Sequence, residues 1–263
     1  MKRSASCLNR NIGLLTLGLA ILVASSCSAK YDLRLEQQGS AQVSLSATLS
    51  PRTVALIAGL SAFAQGGAGG RASSTSAPTT FRALDTASLS RTLKALSGVS
   101  KVDLRNTTPN SVSGGFFIAD LERILISAPL TGGKPMTEIA SVFKVERSAS
   151  GGRISMNLSS ASGPAFLAAL SPEIRDYLEA LMAPIAMGEK MGAADYLDLV
   201  ELVYGPTIAS ELRTSVITVA LELPAPAFNV HGGSSQGTRV DFSIPLVDIL
   251  TLDKPISLAA SWK

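Results

Sequence analysis

Apolar and polar residues alternate with a period of two over several stretches of this chain. Tyr31, Leu33 and Leu35 interleave with Asp32, Arg34 and Glu36; beyond a turn at Gln38-Gly39, Val43, Leu45, Ala47 and Leu49 interleave with Gln42, Ser44, Ser46 and Thr48. Successive side chains of a strand point to opposite faces, so the pattern predicts a hairpin with one buried and one wet face. Phe143 and Val145, leading through Gly151-Gly152 to Ile154, Met156 and Leu158, predict a second hairpin. The alternation returns in Ile217, Val219, Leu221 and Leu223, in Val240, Phe242 and Ile244, and in Ile256, Leu258, Ala260 and Trp262. Amphipathic strands in this number predict a mainly antiparallel sheet with one covered face.

Elsewhere the period changes to that of a helix. Ser171-Pro172-Glu173 opens one: serine accepts an orphan amide, proline fits the first helical position and glutamate complements the positive dipole end. Its stripe is Ile174, Tyr177, Leu178 and Leu181, and Pro184 is expected to end it. A second helix is expected from Ala193 to Tyr204 with Tyr196, Leu199, Val200 and Val203 on one side, and an earlier one from Ser88 to Ser97 using Leu89, Leu93 and Leu96. Residues 160–214 thus read as a helical insertion. The fold class predicted is α+β, a curved, mainly antiparallel sheet with helices packed on one face.

Two neighbouring segments depart from these patterns. Pro51 to Gln65 predicts a helix that is apolar nearly all round, with Arg52 its only charge. Two placements fit it: burial against the first hairpin, or a face made of Leu56, Ile57, Leu60 and Phe63 turned toward lipid or a partner. Residues 66–80 contain no apolar side chain larger than alanine or proline, so they have nothing to bury and read as a flexible loop.

The first 26 residues form a different kind of unit. Lys2, Arg3 and Arg10 precede an uncharged run of about 13 residues from Ile12 to Ala24, followed by Ser25, Ser26 and Cys27. Charge, apolar run and small residues in that order predict a secretory signal, and the run is short of the roughly 20 residues a membrane-spanning helix needs. Cleavage before Cys27 leaves residues 27–263 as a single domain. It also removes three basic residues and no acidic ones, so the apparent net charge of +3 belongs to the signal and 20 residues of each sign remain. A neutral chain with no basic run gives no support to nucleic-acid binding.

The small residues before Cys27 resemble the lipobox of bacterial lipoproteins, in which a cysteine is acylated and becomes the mature N-terminus. Leucine is usual three positions before that cysteine, and here Ala24 stands there, a relaxed form similar to spirochaete lipoproteins. The resemblance implies lipidation of Cys27. The alternative is an ordinary secretory cut at the same small residues, leaving a free thiol. Cys7 is lost with the signal, so no disulfide is expected.

Candidate chemistry is sparse. Gly233-Ser234-Ser235-Gln236-Gly237 fits G-x-S-x-G, but a nucleophile elbow needs a strand, a sharp turn and a helix, with a histidine later in the chain. Thr238 to Ile244 alternates as a strand, and His231, the only histidine, precedes Ser235, so the segment reads as a polar hairpin loop that contains His231. One histidine cannot build a His/Cys zinc site, and Asp195, Asp198 and Glu201 read as a solvated helix face. No phosphate-binding glycine loop occurs. No catalytic residue, metal or cofactor is expected, and the chain is not expected to be an enzyme.

A second resemblance lies at the two ends of residues 27–263. Leu223-Pro224-Ala225-Pro226, Asn229 to Gly233, Gly237 to Phe242, Pro245-Leu246 and Ser261-Trp262, with the hairpin Tyr31 to Leu49, are similar to LppM-like bacterial lipoproteins. The resemblance implies an α+β envelope lipoprotein and a link to lipid or glycolipid binding, and it supplies no catalytic residues. The expected function is a lipid-anchored cell-envelope protein with a non-catalytic interaction or structural role, held at the outer or inner membrane on the periplasmic or surface side. The alternative is a lipid or glycolipid carrier with an apolar pocket between sheet and helices. Expected partners are the membrane, through the N-terminal lipid, and lipid or envelope proteins.

Overall fold

The computed structural model describes residues 28–56, 86–127, 142–148, 150–169, 175, 178–179 and 181–263. The expected signal, the expected loop at 66–80 and the expected helix start at Ser171-Pro172-Glu173 lie outside them. The first alternating stretches form β1 (Ser28–Leu35) and β2 (Ala41–Thr48), paired antiparallel with Tyr31 opposite Leu45 and Leu33 opposite Val43. Gly39 closes the turn at a φ of 89°, a conformation open to glycine without steric cost.

A larger sheet grows outward from this hairpin. Its order is β3 (Val99–Arg105), β4 (Ser111–Ile118), β2, β1, β7 (Val216–Glu222), β10 (Arg239–Pro245) and β9 (Gly233–Gln236). Only the central contact of β1 with β7 is parallel; the other pairs in this sheet are antiparallel. A smaller antiparallel sheet has the order β5 (Phe143–Ser148), β6 (Gly151–Leu158), β11 (Ile256–Trp262) and β8 (Ala227–His231). The α+β class is as expected, but the strands divide between two sheets. The helical residues after β10 turn the chain away from it, and β11 pairs with β6 instead.

Register explains why the larger sheet has one buried face. Val112, Ala47, Ala29, Ile217 and Ile244 stand in one row across five strands, and Leu45, Tyr31, Val219 and Phe242 stand in the next. All but Val219 are buried. The outer face is charged: Asp32 and Asp241 flank Ala220, and the Arg239 guanidinium lies 3.7 Å from Asp32 and 2.8 Å from Asp241. Ala220, between the two acids, is itself buried.

Among the described residues the helices include α1 (51–56), α2 (Thr86–Ala95), α3 (Leu121–Ser127), α4 (Gly163–Ala169), α5 (Pro184–Met187), α6 (Ala193–Tyr204), α7 (Pro206–Thr214) and α8 (Leu246–Thr251). Leu89, Leu93 and Leu96 are buried as their spacing predicts. α6 has the expected bounds, and Tyr196 and Val200 are buried as expected, but Leu197 joins them while Leu199 is half-buried, Val203 is 50% exposed and Leu202 84% exposed. α7 and α8 pack beside α6, and Gly205, at a φ of 87°, redirects the chain straight into α7. Residues 181–183 are not helical, so the preceding helix ends before Pro184 as expected, and proline also opens α5, with Ala183 extended before it. Leu178 and Leu181 are buried as predicted.

Candidate functional site

Of the residues singled out from the sequence, Cys27, Ile57, Leu60 and Phe63 lie outside the described residues. Leu56 is the last described residue of α1 and is half-buried. α1 is fixed at its start by hydroxyls: Ser50 donates to Glu211 Oε2 at 2.7 Å, Thr53 donates to the same oxygen at 3.1 Å, and Ser50 Oγ accepts the Thr53 amide at 3.0 Å. Thr53 is buried, so α1 is seated on α7 and its position is defined by these bonds.

The smaller sheet gathers apolar side chains on one face. Phe143 faces Met156 and Met156 faces Leu258; Val145 faces Ile154, which faces Ala260; Leu158 faces Ile256. Directly opposed residues share a face, so these form one surface. Val145, Leu158 and Ala260 are buried, while Phe143, Ile154, Met156, Ile256 and Leu258 are half-buried and packed against the core.

A depression of about 290 Å³ lies at the corner of this sheet, between the β5–β6 turn and Phe228, Trp262 and Lys263. It sits at a sheet corner, not between sheet and helices, where the alternative carrier reading would put a pocket. Phe228 is 58% exposed and carries the Lys263 ammonium 5.1 Å from its ring centroid. The pair Gly151-Gly152, expected to form the hairpin turn, belongs to β6, and the turn falls just before it. Gly152 is there because the Trp262 indole lies over its backbone. The Lys144 ammonium, hydrogen-bonded to Glu146, holds that carboxyl below the usual range. Arg147 runs from this corner to the larger sheet, 3.5 Å from Asp120 and 3.3 Å from Glu122, with its guanidinium packed over Gly39. The corner is an amphipathic notch with cationic edges.

The G-x-S-x-G match has no elbow. Gly233–Gln236 is β9, which hairpins into β10 with Ser235 opposite Val240, and all four of its residues are exposed. His231 ends β8 opposite Ala259, so it belongs to a strand and not to the expected loop. The expected loop is two short strands bent at Gly232, whose φ is 74°. Among the described residues no group of three or more His, Cys, Asp or Glu side chains gathers as a metal site, and no helix is long and apolar enough to cross a membrane.

No family model matches this chain, and no curated protein matches it. Among solved structures it is similar to the folded domain of the LppM protein of Mycobacterium tuberculosis, determined by NMR, with a TM-score of 0.37 and 7% identity over 91% of this chain and 90% of that one.

Proposed function

We propose that this chain is a lipid-anchored cell-envelope protein, tethered through an acylated Cys27, whose domain has a non-catalytic interaction or structural role. The observation that carries the reading is the junction. Cys27 immediately precedes Ser28, the first residue of β1, and β1 is paired on both sides, with β2 and with β7. A tether at residue 27 is therefore joined to the middle of the larger sheet without a linker. One acyl chain holds a protein only marginally at about 0.8 kcal/mol per buried methylene, whereas two or more hold it stably. A multiply acylated cysteine thus anchors a neutral domain without a basic patch. Exposed Leu202, Val203 and Phe228 offer apolar contact points to envelope partners.

The test is metabolic labelling of the full chain with a palmitate analogue, followed by detergent phase separation. The expected result is a labelled, detergent-partitioning protein whose label and partitioning are both lost in Cys27→Ala. Unchanged partitioning of the variant would sink the reading. A second reading, a lipid or glycolipid carrier, is favoured by the half-buried apolar face of the smaller sheet. Native mass spectrometry of the Cys27→Ala chain separates the two: a co-purified lipid mass supports the carrier, and a bare protein mass supports the interaction role.

A further inference from the structure

The registers place one end of every strand in the middle of the larger sheet on a common rim. Ser28 is opposite Thr48 on one side and Val216 on the other; Thr48 is opposite Ser111, and Val216 is opposite Pro245. The rim is stitched laterally by bonds outside the ladders. The Leu49 amide donates to the Asn110 carbonyl at 2.8 Å, Ser50 reaches Glu211, and the Leu246 amide donates to the Ser215 carbonyl at 2.9 Å. The strand ends are thus bonded to one another rather than loose; Leu49, Ser111, Ser215 and Leu246 are buried beneath the exposed positions of the rim.

Resting on the anchor reading above, we propose that this rim is the membrane-facing surface of the domain and lies against lipid headgroups. Consecutive Cα atoms are about 3.8 Å apart, so an acylated Cys27 brings Ser28 to within one residue of the bilayer surface. Ser28 cannot pay out slack, because β1 is locked between two strands from its first residue. Whatever shares the rim with Ser28 is carried to the headgroup layer with it. The exposed side chains there include Thr48, Arg52, Arg213 and Thr214, and neither arginine has a carboxylate partner among the described residues. Glu211 is engaged by the hydroxyls of Ser50 and Thr53. Asp248, just past the rim in α8, is the exposed carboxylate nearest in sequence to Pro245, and desolvation pushes its pKa up. Hydroxyls and unpaired arginines suit phosphate headgroups. The opposite end, at the β1–β2 turn, stands about 23 Å away, given a strand rise of about 3.3 Å per residue, and its carboxylates Asp120 and Glu122 already face Arg147.

The experiment uses the full lipidated protein in vesicles of phosphatidylcholine and phosphatidylglycerol, with a nitroxide on Arg213→Cys, Pro109→Cys or Gln38→Cys. Collisional relaxation by a headgroup-bound nickel chelate reports distance from the surface. Positions 213 and 109 are expected to relax severalfold more than position 38, which is exposed at the far turn. Two rim positions on different elements guard against one variant failing to fold. Equal relaxation at both ends, or stronger relaxation at 38, overturns the inference. The mass of the N-terminal peptide from the same sample separates the failures: with Cys27 unmodified the anchor reading falls and this inference with it; with Cys27 acylated and relaxation uniform, the orientation alone falls.

Discussion

The indole of Trp262 lies over Gly152, so that a Cβ added to the glycine would stand 2.7 Å from the indole Cη2. Trp262 is opposite Gly152 in the β11–β6 ladder and is 7% exposed, which makes the missing side chain the space the ring occupies. Gly152→Ala is expected to displace the ring and destabilise the domain by about 1–3 kcal/mol, the usual cost of overpacking. A denaturant melt with tryptophan fluorescence reads it directly, since the chain has one tryptophan. An unchanged midpoint and emission would refute the packing described.

Gly114 meets a different obstacle. Its φ is 140°, and a Cβ there would lie against the Asp103 carbonyl and 2.9 Å from the Leu104 Cα, where β3 bulges. Backbone cannot move aside as a side-chain tip can, so Gly114→Ala is expected to cost at least about 2 kcal/mol. Loss of amide protection in β3 with retention in β7 would be the hydrogen-exchange signature.

The inner face of α6 can be checked by a pair of truncations. Val200 is fully buried and Leu202 is 84% exposed. Val200→Ala is expected to lower stability by roughly 1–3 kcal/mol, while Leu202→Ala stays within about 0.5 kcal/mol. Comparable losses at the two sites would place the helix in a different rotation.

Tyr196 donates its hydroxyl to the Leu181 carbonyl at 3.1 Å, and burial pushes its pKa up, as it does for Tyr31. The folded state keeps these protons where the unfolded chain releases them near pH 10, so stability is present below about pH 10 and is lost as pH rises beyond it. Tyr196→Phe is expected to cost about 1 kcal/mol at neutral pH, from the unpaired carbonyl, and to lessen the alkaline loss. Chemical denaturation across about pH 8 to 11 provides the comparison, with phenolate absorbance as the readout of the hydroxyls.

Local periodicity made much of this legible, and the misses have physical causes. The first hairpin, the α2 stripe and the bounds of α6 are visible because each element meets its neighbours with a regular face. β3 and β4 escaped because the bulge between Ser100 and Asp103 spaces Val99, Val102 and Leu104 unevenly, with Lys101 at a φ of 52°, and because Gly114 stands where an apolar residue would continue the alternation. The parallel contact of β1 with β7 pairs Ser28 with Val216, and nothing local signals a partner so distant. In α6, Leu197 and Leu202 are both leucine, and only the position of α7 decides which is inside. The proposal of Cys27 as an anchor comes from its small-residue context alone, whereas the rim beside it needs the registers of five strands.

Because β1 is paired from Ser28 onward with strands on both sides, the segment that would ordinarily serve as a cleavable stalk is part of the sheet. A protease cutting anywhere from residue 28 to 35 must first peel apart the ladder of β2 or β7. Excision of that strand would leave β3-β4-β2 and β7-β10-β9 as two fragments of sheet with no common member. With an anchor at Cys27, as proposed, a cut within β1 would not shed a folded domain, because it removes the strand that joins the two halves of the larger sheet.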